Sequence, residues 1–248
     1  MRVALFVTCL IDTMRPQVAF ASIQLLQQAG CEVDVPPHQT CCGQPAYNSG
    51  DMDNARQLAR HTIEALEGYD HVVIPSGSCA GMMIHHYPRL LTDEPDWLAR
   101  AEALAAKSHE LTRFLNDVLK FEPTATSSQT LTYHDSCSSL REMGIKQQPR
   151  QLLAQVEGLE LHEMQETEVC CGFGGTFAVT YPQISTQMVD NKTSNINATG
   201  ASLVAAADLG CLLNIAGKLS REKSPVRAFH IAEVLAGMTD RPAIGEED

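Results

Sequence analysis

Short apolar runs and amphipathic stretches alternate along the chain, and the same alternation occurs twice. In the first half, the β-rich runs Arg2–Val7, Cys31–Val35 and His71–Pro75 predict strands. Between them, apolar residues recur at helical spacing over Pro16–Gln28 and from Asp51 to Glu67, with Asp51 as the expected helix cap. Strands that alternate with helices are typical of a parallel α/β sheet.

The second half follows the same order. Strands are predicted over Leu131–His134, Leu159–Met164 and Ala201–Ala207, with helices at Pro149–Val156 and Gln183–Asn195 between them. We therefore predict an α/β fold of two duplicated Rossmann-like lobes with parallel sheets.

The segment between the two halves predicts one long amphipathic helix, Trp97–Phe121, followed by a polar linker over Phe121–Gln129. These features divide the chain into a first lobe with its connecting helices at 1–122, a second lobe at 130–238 and an acidic tail at 239–248.

Composition narrows the function classes. The chain has 248 residues, 44% of them hydrophobic, enough for two lobes that each bury a core. A formal net charge of −12 with only 18 Lys and Arg residues argues against nucleic-acid binding, which needs clustered cations. No stretch reaches the roughly 20 apolar residues of a membrane-spanning helix, and we expect a cytoplasmic protein.

The cysteines repeat with the lobes. Cys9 and Cys137 lie 128 positions apart, Cys41 and Cys170 lie 129 apart, and Cys79 and Cys211 lie 132 apart. Eight of the nine cysteines form two matching sets: Cys9, Cys41, Cys42 and Cys79; and Cys137, Cys170, Cys171 and Cys211. In a reducing cytosol, cysteines in such a pattern indicate metal binding or redox chemistry before structural disulfides.

Each matched cysteine follows the carboxyl end of a predicted strand or lies in the loop after it, so the four thiols of a set are expected to converge at one sheet edge. Three kinds of chemistry compete for them. Adjacent cysteines fit a single tetrahedral zinc ion poorly, because structural zinc sites usually separate their ligands. They can each reach a different iron of an iron–sulfur cluster. Zinc in one or both sites and disulfide chemistry remain the alternatives.

Residues beside the cysteines could tune such sites. Gly43 and Gly172 follow the cysteine pairs, where their amides could bond cluster sulfides. His134, three residues before Cys137, could bond a ligand or donate a proton, or be a structural histidine. Cys31 has no counterpart in the second half, and buried packing is its expected role.

Four segments carry a family resemblance: Gln39-Thr-Cys-Cys-Gly-Gln-Pro-Ala46, Tyr133-His-Asp-Ser-Cys137, Glu168-Val-Cys-Cys-Gly-Phe-Gly-Gly-Thr-Phe177 and Phe229-His-Ile-Ala-Glu-Val-Leu235. The chain resembles the proteins with duplicated cysteine-rich CCG domains found in heterodisulfide reductase, glycolate oxidase and succinate:quinone reductase-type subunits. It is most similar to the lactate-utilization iron–sulfur branch of that family. The resemblance spans nearly the whole chain.

The resemblance implies an electron-transfer subunit of a cytoplasmic complex that oxidises L-lactate to pyruvate, rather than a complete enzyme. Its implied partners are a larger ferredoxin-like iron–sulfur subunit and a third, small subunit. The implied cofactors are 4Fe-4S clusters, up to one per repeat, held by the two cysteine sets, with zinc in one site as an alternative. No catalytic residue is predicted.

The chain departs from the wider family pattern at two positions. The family ends each repeat in Cys-x-x-Cys, whereas Ser76 and Asp208 stand at the first of those positions here. Each could be a weak oxygen ligand, a hydrogen-bonding neighbour or a plain turn residue. Four thiolates per set favour a cubane cluster over the disulfide-cleaving chemistry of the heterodisulfide relatives. A thiol–disulfide reductase and a zinc-stabilised assembly module remain the alternative functions.

Overall fold

The chain forms two compact units, the first ending at Leu119 and the second beginning at Lys120. The computed structural model describes residues 1–246, so Glu247 and Asp248 of the predicted acidic tail lie outside the described residues. Each unit is an α/β lobe around a four-stranded parallel sheet. The predicted fold class is therefore confirmed.

The sheet of the first lobe has the strand order β2-β1-β3-β4. The elements of this lobe, in chain order, are β1 (Arg2–Leu5), α1 (Cys9–Met14), α2 (Gln17–Gln28), β2 (Glu32–Asp34), α3 (Gln44–Asn48), α4 (Met52–Leu66), β3 (His71–Ile74), α5 (Gly77–Gly81), a π-helical turn (Met82–His86), α6 (Tyr87–Leu90), α7 (Pro95–Lys107), β4 (Ser108–Glu110), α8 (Leu111–Arg113) and a second π-helical turn (Phe114–Val118).

The sheet of the second lobe repeats this order as β6-β5-β7-β8. Its elements are β5 (Thr130–Tyr133), a π-helical turn (Ser138–Glu142), α9 (Gln147–Leu153), β6 (Glu160–Leu161), α10 (Phe177–Thr180), α11 (Pro182–Ala198), β7 (Leu203–Ala206), α12 (Leu209–Arg221), β8 (Arg227–His230) and α13 (Ile231–Leu235).

The central strands form the core of each lobe. Strand β7 is buried along its whole length, and β1 and β3 are buried at three of their four residues, as expected of parallel strands covered on both faces. The chain leaves β1 toward β2 on one side, whereas β3 pairs on the other side. Such a switch in strand order opens a crevice at the carboxyl ends of the two central strands. The same switch lies between β5 and β7.

The predicted long helix Trp97–Phe121 is wrong. Helix α7 ends at Lys107, and Ser108–Glu110 forms strand β4, which pairs in parallel with β3. The next helix begins after Glu110, whose carboxylate accepts hydrogen bonds from the amide of Arg113 at 3.0 Å and the hydroxyl of Thr112 at 2.6 Å. A side-chain cap of this kind starts a new helix and stops the old one from continuing.

The segments at the ends of the second lobe are held by specific contacts. In the predicted linker, Thr126 bridges to Glu157, and the amide of Ser127 donates to the Glu157 carbonyl at 2.8 Å. In the predicted tail, Ala243 and Ile244 are buried, and the amide of Ile244 donates to Ala228 of β8 at 2.9 Å. Both segments therefore pack onto the second lobe.

Among residues 1–246, no helix combines the length and the apolar character that crossing a membrane requires.

Candidate metal centres

The first cysteine set lies at the carboxyl edge of its sheet. Cys9 begins α1 after β1, Cys41 and Cys42 lie between β2 and α3, and Cys79 lies in α5 just after β3. Cys9 is exposed, Cys41 is intermediate, and Cys42 and Cys79 are buried. The set therefore extends from the surface of the lobe into its interior.

The thiols of the first set are close enough to affect one another. The Sγ atoms of Cys42 and Cys79 lie 3.3 Å apart. Hydrogen bonding with Cys42 and Cys9 holds the pKa of Cys41 well below its usual range, and the same contacts raise the pKa of Cys9 and of buried Cys42. Cys41 is thus the thiol on which negative charge is most favoured.

The second set repeats this arrangement. Hydrogen bonding with Cys137 and Cys171 lowers the pKa of Cys170 well below its usual range. The pKa of Cys41 is lowered in the same way in the first lobe. The pKa of Cys211 is lowered to about 7, chiefly by hydrogen bonding with Cys171 and further by neighbouring His134. As in the first set, solvent exposure decreases along the set: Cys137 and Cys170 are intermediate, and Cys171 and Cys211 are buried.

The glycine after each cysteine pair turns its backbone toward the thiols. Gly43 has φ +84° and Gly172 has φ +87°, a conformation that favours glycine. The amide of Gly43 donates to the Sγ of Cys41, and the amide of Gly172 donates to the Sγ of Cys170, each at 3.4 Å. A Cβ at Gly172 would lie 2.7 Å from the carbonyl oxygen of Ser185, so a side chain has no room there.

His134 is an additional buried donor in the second lobe. It follows β5 and is fully buried, and neither ring nitrogen has a nitrogen or oxygen partner. Within residues 1–246, one group of three candidate ligand atoms lies mutually within 4.8 Å, and it consists of His134, Cys171 and Cys211. The structure thus brings His134 to the inner end of the second set.

Ser76 and Asp208 both immediately precede helices and make hydrogen bonds there. The Ser76 hydroxyl accepts a 3.4 Å hydrogen bond from the amide of Cys79 and lies 3.1 Å from the Ser78 hydroxyl. The Asp208 carboxylate accepts from the hydroxyl of Ser136 and, at 3.5 Å, from that of Ser139. Their contacts suit residues that position the adjoining cysteine helices.

Three residues that support the cysteine pairs were not predicted. The Tyr87 hydroxyl donates to the carbonyl of Cys42 at 2.8 Å, and the Asn214 amide donates to the carbonyl of Cys171 at 2.9 Å. Lys192 is buried in α11, where its ammonium donates to the carbonyls of Glu166 at 2.5 Å and Thr167 at 3.4 Å. The sequence did contain one indication of this role, because Lys192 lies on the apolar side of a predicted helix, where lysine is rare unless it is paired.

Cys31 lies outside both sets. It is buried immediately before β2, and burial raises the pKa of its thiol.

The residues of both sets fit a metal or an iron–sulfur cluster. Thiolates are the ligands of such clusters, and glycine amides directed at sulfur are typical of their surroundings. Buried His134, which lies beside Cys171 and Cys211, adds a nitrogen donor at the second set. The crowded thiols also fit, because metal binding would replace their mutual hydrogen bonds with bonds to a shared cation.

Comparison with known proteins agrees with this arrangement. The family described as "Cysteine-rich domain", or CCG, matches the chain twice, over residues 3–84 and 131–216. The chain belongs to this family. The two CCG matches cover the strands and helices that carry the two cysteine sets, and they confirm the resemblance recognised from the sequence motifs.

Similar proteins are known in several bacteria. The chain is 49% identical to "Lactate utilization protein A" of Halalkalibacterium halodurans, covering 95% of this chain and 96% of that protein. The protein of the same name from Bacillus cytotoxicus is 48% identical, with 95% and 98% covered. That from Geobacillus kaustophilus is 49% identical, again with 95% and 98% covered.

One solved structure shares the fold. A hypothetical protein from Helicobacter pylori superposes with a TM-score of 0.66 at 13% identity, covering 100% of this chain. The chain spans 49% of the length of that structure's chain.

Proposed function

We propose that this chain is an iron–sulfur electron-transfer subunit of a complex that oxidises L-lactate to pyruvate. The arrangement of thiols carries the proposal: in each lobe, four cysteines follow one another from the surface to the interior at the crevice edge of the sheet. The names of relatives that are 48–49% identical over nearly their full length support lactate as the electron source.

The two sets would hold one cluster each. The donors would be Cys9, Cys41, Cys42 and Cys79 in the first lobe, and Cys137, Cys170, Cys171 and Cys211 in the second. A 4Fe-4S cluster, when bound, accepts and releases one electron at a time.

The chain's own residues would set the conditions for that transfer. The amides of Gly43 and Gly172 donate toward thiolate sulfur and stabilise negative charge there. The buried inner cysteines, Cys42 and Cys171, keep water from one side of each set. The more exposed Cys9 and Cys137 leave the other side near the surface, where a partner can approach within electron-transfer distance.

Other subunits would supply the remaining chemistry. We propose a larger ferredoxin-like iron–sulfur protein and a third, small subunit as partners, in the cytoplasm. All nine cysteines are free, which suits a reducing compartment.

Anaerobic purification followed by iron, zinc and sulfide analysis and electron paramagnetic resonance tests the proposal. We expect about four irons and four sulfides per cysteine set. The variants Cys42→Ala and Cys171→Ala should each remove one cluster signal and leave the other. Cys31→Ala is the matched control, since Cys31 belongs to neither set, and it should retain both signals.

Two results would overturn the assignment. Zinc without sulfide would favour the assembly module, and disulfide turnover by the isolated chain would favour a thiol–disulfide reductase. The lactate assignment has a separate test: in the presence of the two partner subunits, L-lactate should reduce the clusters, whereas D-lactate should not. Clusters that L-lactate leaves oxidised would retain electron transfer but exclude lactate as the source.

A further inference from the structure

The two candidate metal centres differ at one buried position next to the central strand. The amide of Phe6 donates to the carbonyl of Val73 at 2.9 Å in the first lobe, and the amide of His134 donates to the carbonyl of Ala205 at 2.8 Å in the second. The strand registers on either side agree, since Leu5 pairs with Val73 and Tyr133 with Ala205. His134 therefore occupies the position that Phe6 occupies in the first lobe.

The two side chains are equally buried but chemically opposite. Phe6 is apolar and needs no partner, whereas His134 carries two ring nitrogens into the interior. A buried polar group without a partner destabilises the folded chain. Neither nitrogen of His134 has a nitrogen or oxygen partner, and the group beside its ring is the thiol of Cys211.

His134 lies next to two cysteine sulfur atoms. One of its nitrogens and the Sγ atoms of Cys171 and Cys211 lie within 4.8 Å of one another. Three donor atoms at such spacing can share one metal ion, because metal bonds to nitrogen and sulfur are about 2.0–2.3 Å long. Imidazole is also a ligand of iron in some iron–sulfur centres.

We propose that His134 supplies a nitrogen ligand to the metal held by Cys171 and Cys211, whereas the first set binds its metal through sulfur alone. Where that metal is the iron of a cluster, the inference rests on the proposed function. The two centres would then be chemically distinct despite their shared fold. An iron held partly by neutral imidazole has a higher reduction potential than one held by thiolates alone, so the second centre would have the higher potential of the two.

Nitrogen-15 labelling of histidine tests the proposal in the unaltered chain. After anaerobic reconstitution with iron and sulfide, pulsed electron paramagnetic resonance should detect strong coupling to one histidine nitrogen. His134→Asn should abolish that coupling, and His162→Asn, a control histidine near the end of β6, should preserve it. Clusters without strong histidine coupling would overturn the proposal while leaving the electron-transfer function intact.

A second measurement does not depend on cluster assembly. Cobalt(II) added to the metal-free chain should bind the second lobe with a visible spectrum typical of mixed nitrogen and sulfur ligands. We expect His134→Asn to weaken cobalt binding there by about 10–100-fold and to change that spectrum. An unchanged affinity and spectrum would overturn the nitrogen ligand, even in a chain that fails to assemble clusters. If the chain binds no iron and sulfide but His134→Asn still weakens cobalt binding, the electron-transfer function is refuted and the nitrogen ligand is retained.

Discussion

The hydroxyl of Tyr87 donates a 2.8 Å hydrogen bond to the backbone carbonyl of Cys42. Tyr87 is fully buried at the start of α6, so this bond joins the helix after β3 to the loop that carries the cysteine pair. In the second lobe, the amide of Asn214 in α12 makes the corresponding bond to Cys171 at 2.9 Å. In both lobes the second cysteine of the pair is thus anchored by a residue that follows the last cysteine of the set in the chain.

Removing the Tyr87 hydroxyl should loosen the first cysteine loop. Tyr87→Phe keeps the ring but leaves the buried carbonyl of Cys42 without this donor, so we expect the free energy of unfolding to fall by about 1–3 kcal/mol. Urea titration of the metal-free chain measures this free energy of unfolding. Tyr69→Phe is the control, because it removes a 2.8 Å bond to Asp34 at a more exposed site and should cost less. Equal losses would contradict the special role of the Cys42 bond.

A side chain at Gly172 should disrupt the second centre. Gly172→Ala combines a positive φ with a Cβ placed 2.7 Å from the Ser185 carbonyl oxygen, so the loop must move. Gly200→Ala isolates the backbone effect, since Gly200 also has a positive φ but nothing within 4 Å of the added Cβ. We expect about 1–2 kcal/mol lost for Gly200→Ala, and more for Gly172→Ala together with lower iron retention in the second set. Iron analysis and urea unfolding measure these effects. Equal losses of stability and of iron in Gly172→Ala and Gly200→Ala would contradict the prediction.

Lys192 should hold the loop that precedes Cys170. Lys192→Met removes an ammonium that bonds the Glu166 and Thr167 carbonyls, and we expect about 1–3 kcal/mol of lost stability. Cys170 should also react faster with thiol reagents in the metal-free chain, as measured by mass spectrometry. Lys218→Met is the control, because Lys218 pairs with Asp190 and Glu222 instead of this loop. An unchanged labelling rate for Cys170 would contradict the anchoring role.

Acid should weaken the first lobe through His109. Burial lowers the pKa of this histidine from 6.5 to about 4, helped by His71, whose Nδ1 lies 3.2 Å from Nε2 of His109, and by Arg113. Between those two pH values His109 is protonated in the unfolded chain but stays neutral in the folded chain. The free energy of unfolding should therefore fall as pH drops from about 6.5 to about 4.

The variant His109→Gln tests this contribution, because glutamine stays neutral throughout the window. Its unfolding free energy, measured by urea titration at several pH values, should fall less steeply with acid than that of the unaltered chain. His162→Gln, which changes a partly exposed histidine in the second lobe, should leave the slope nearly unchanged. A slope unaffected by His109→Gln would show that other groups cause the acid sensitivity.

Local patterns predicted the central strands well. The apolar runs His71–Pro75 and Ala201–Ala207 contain the observed strands β3 and β7, and the predicted helix starting after Asp51 is α4, with the Asp51 carboxylate accepting from the amide of Asn54. Buried parallel strands and capped helices leave strong marks in neighbouring residues. Strand β4 leaves none, because Ser-His-Glu is polar and becomes a strand only by pairing with β3.

The sequence by itself determined the duplication, the parallel α/β class and the two sets of four cysteines, because spacing and hydrophobic period are written in consecutive residues. Only the tertiary structure decided what surrounds those cysteines. The bonds of Tyr87 to Cys42 and of Lys192 to Glu166 span 45 and 26 positions, and the equivalence of His134 with Phe6 depends on strand register. Contacts between distant residues arise from chain packing, and packing brings His134 beside Cys171 and Cys211.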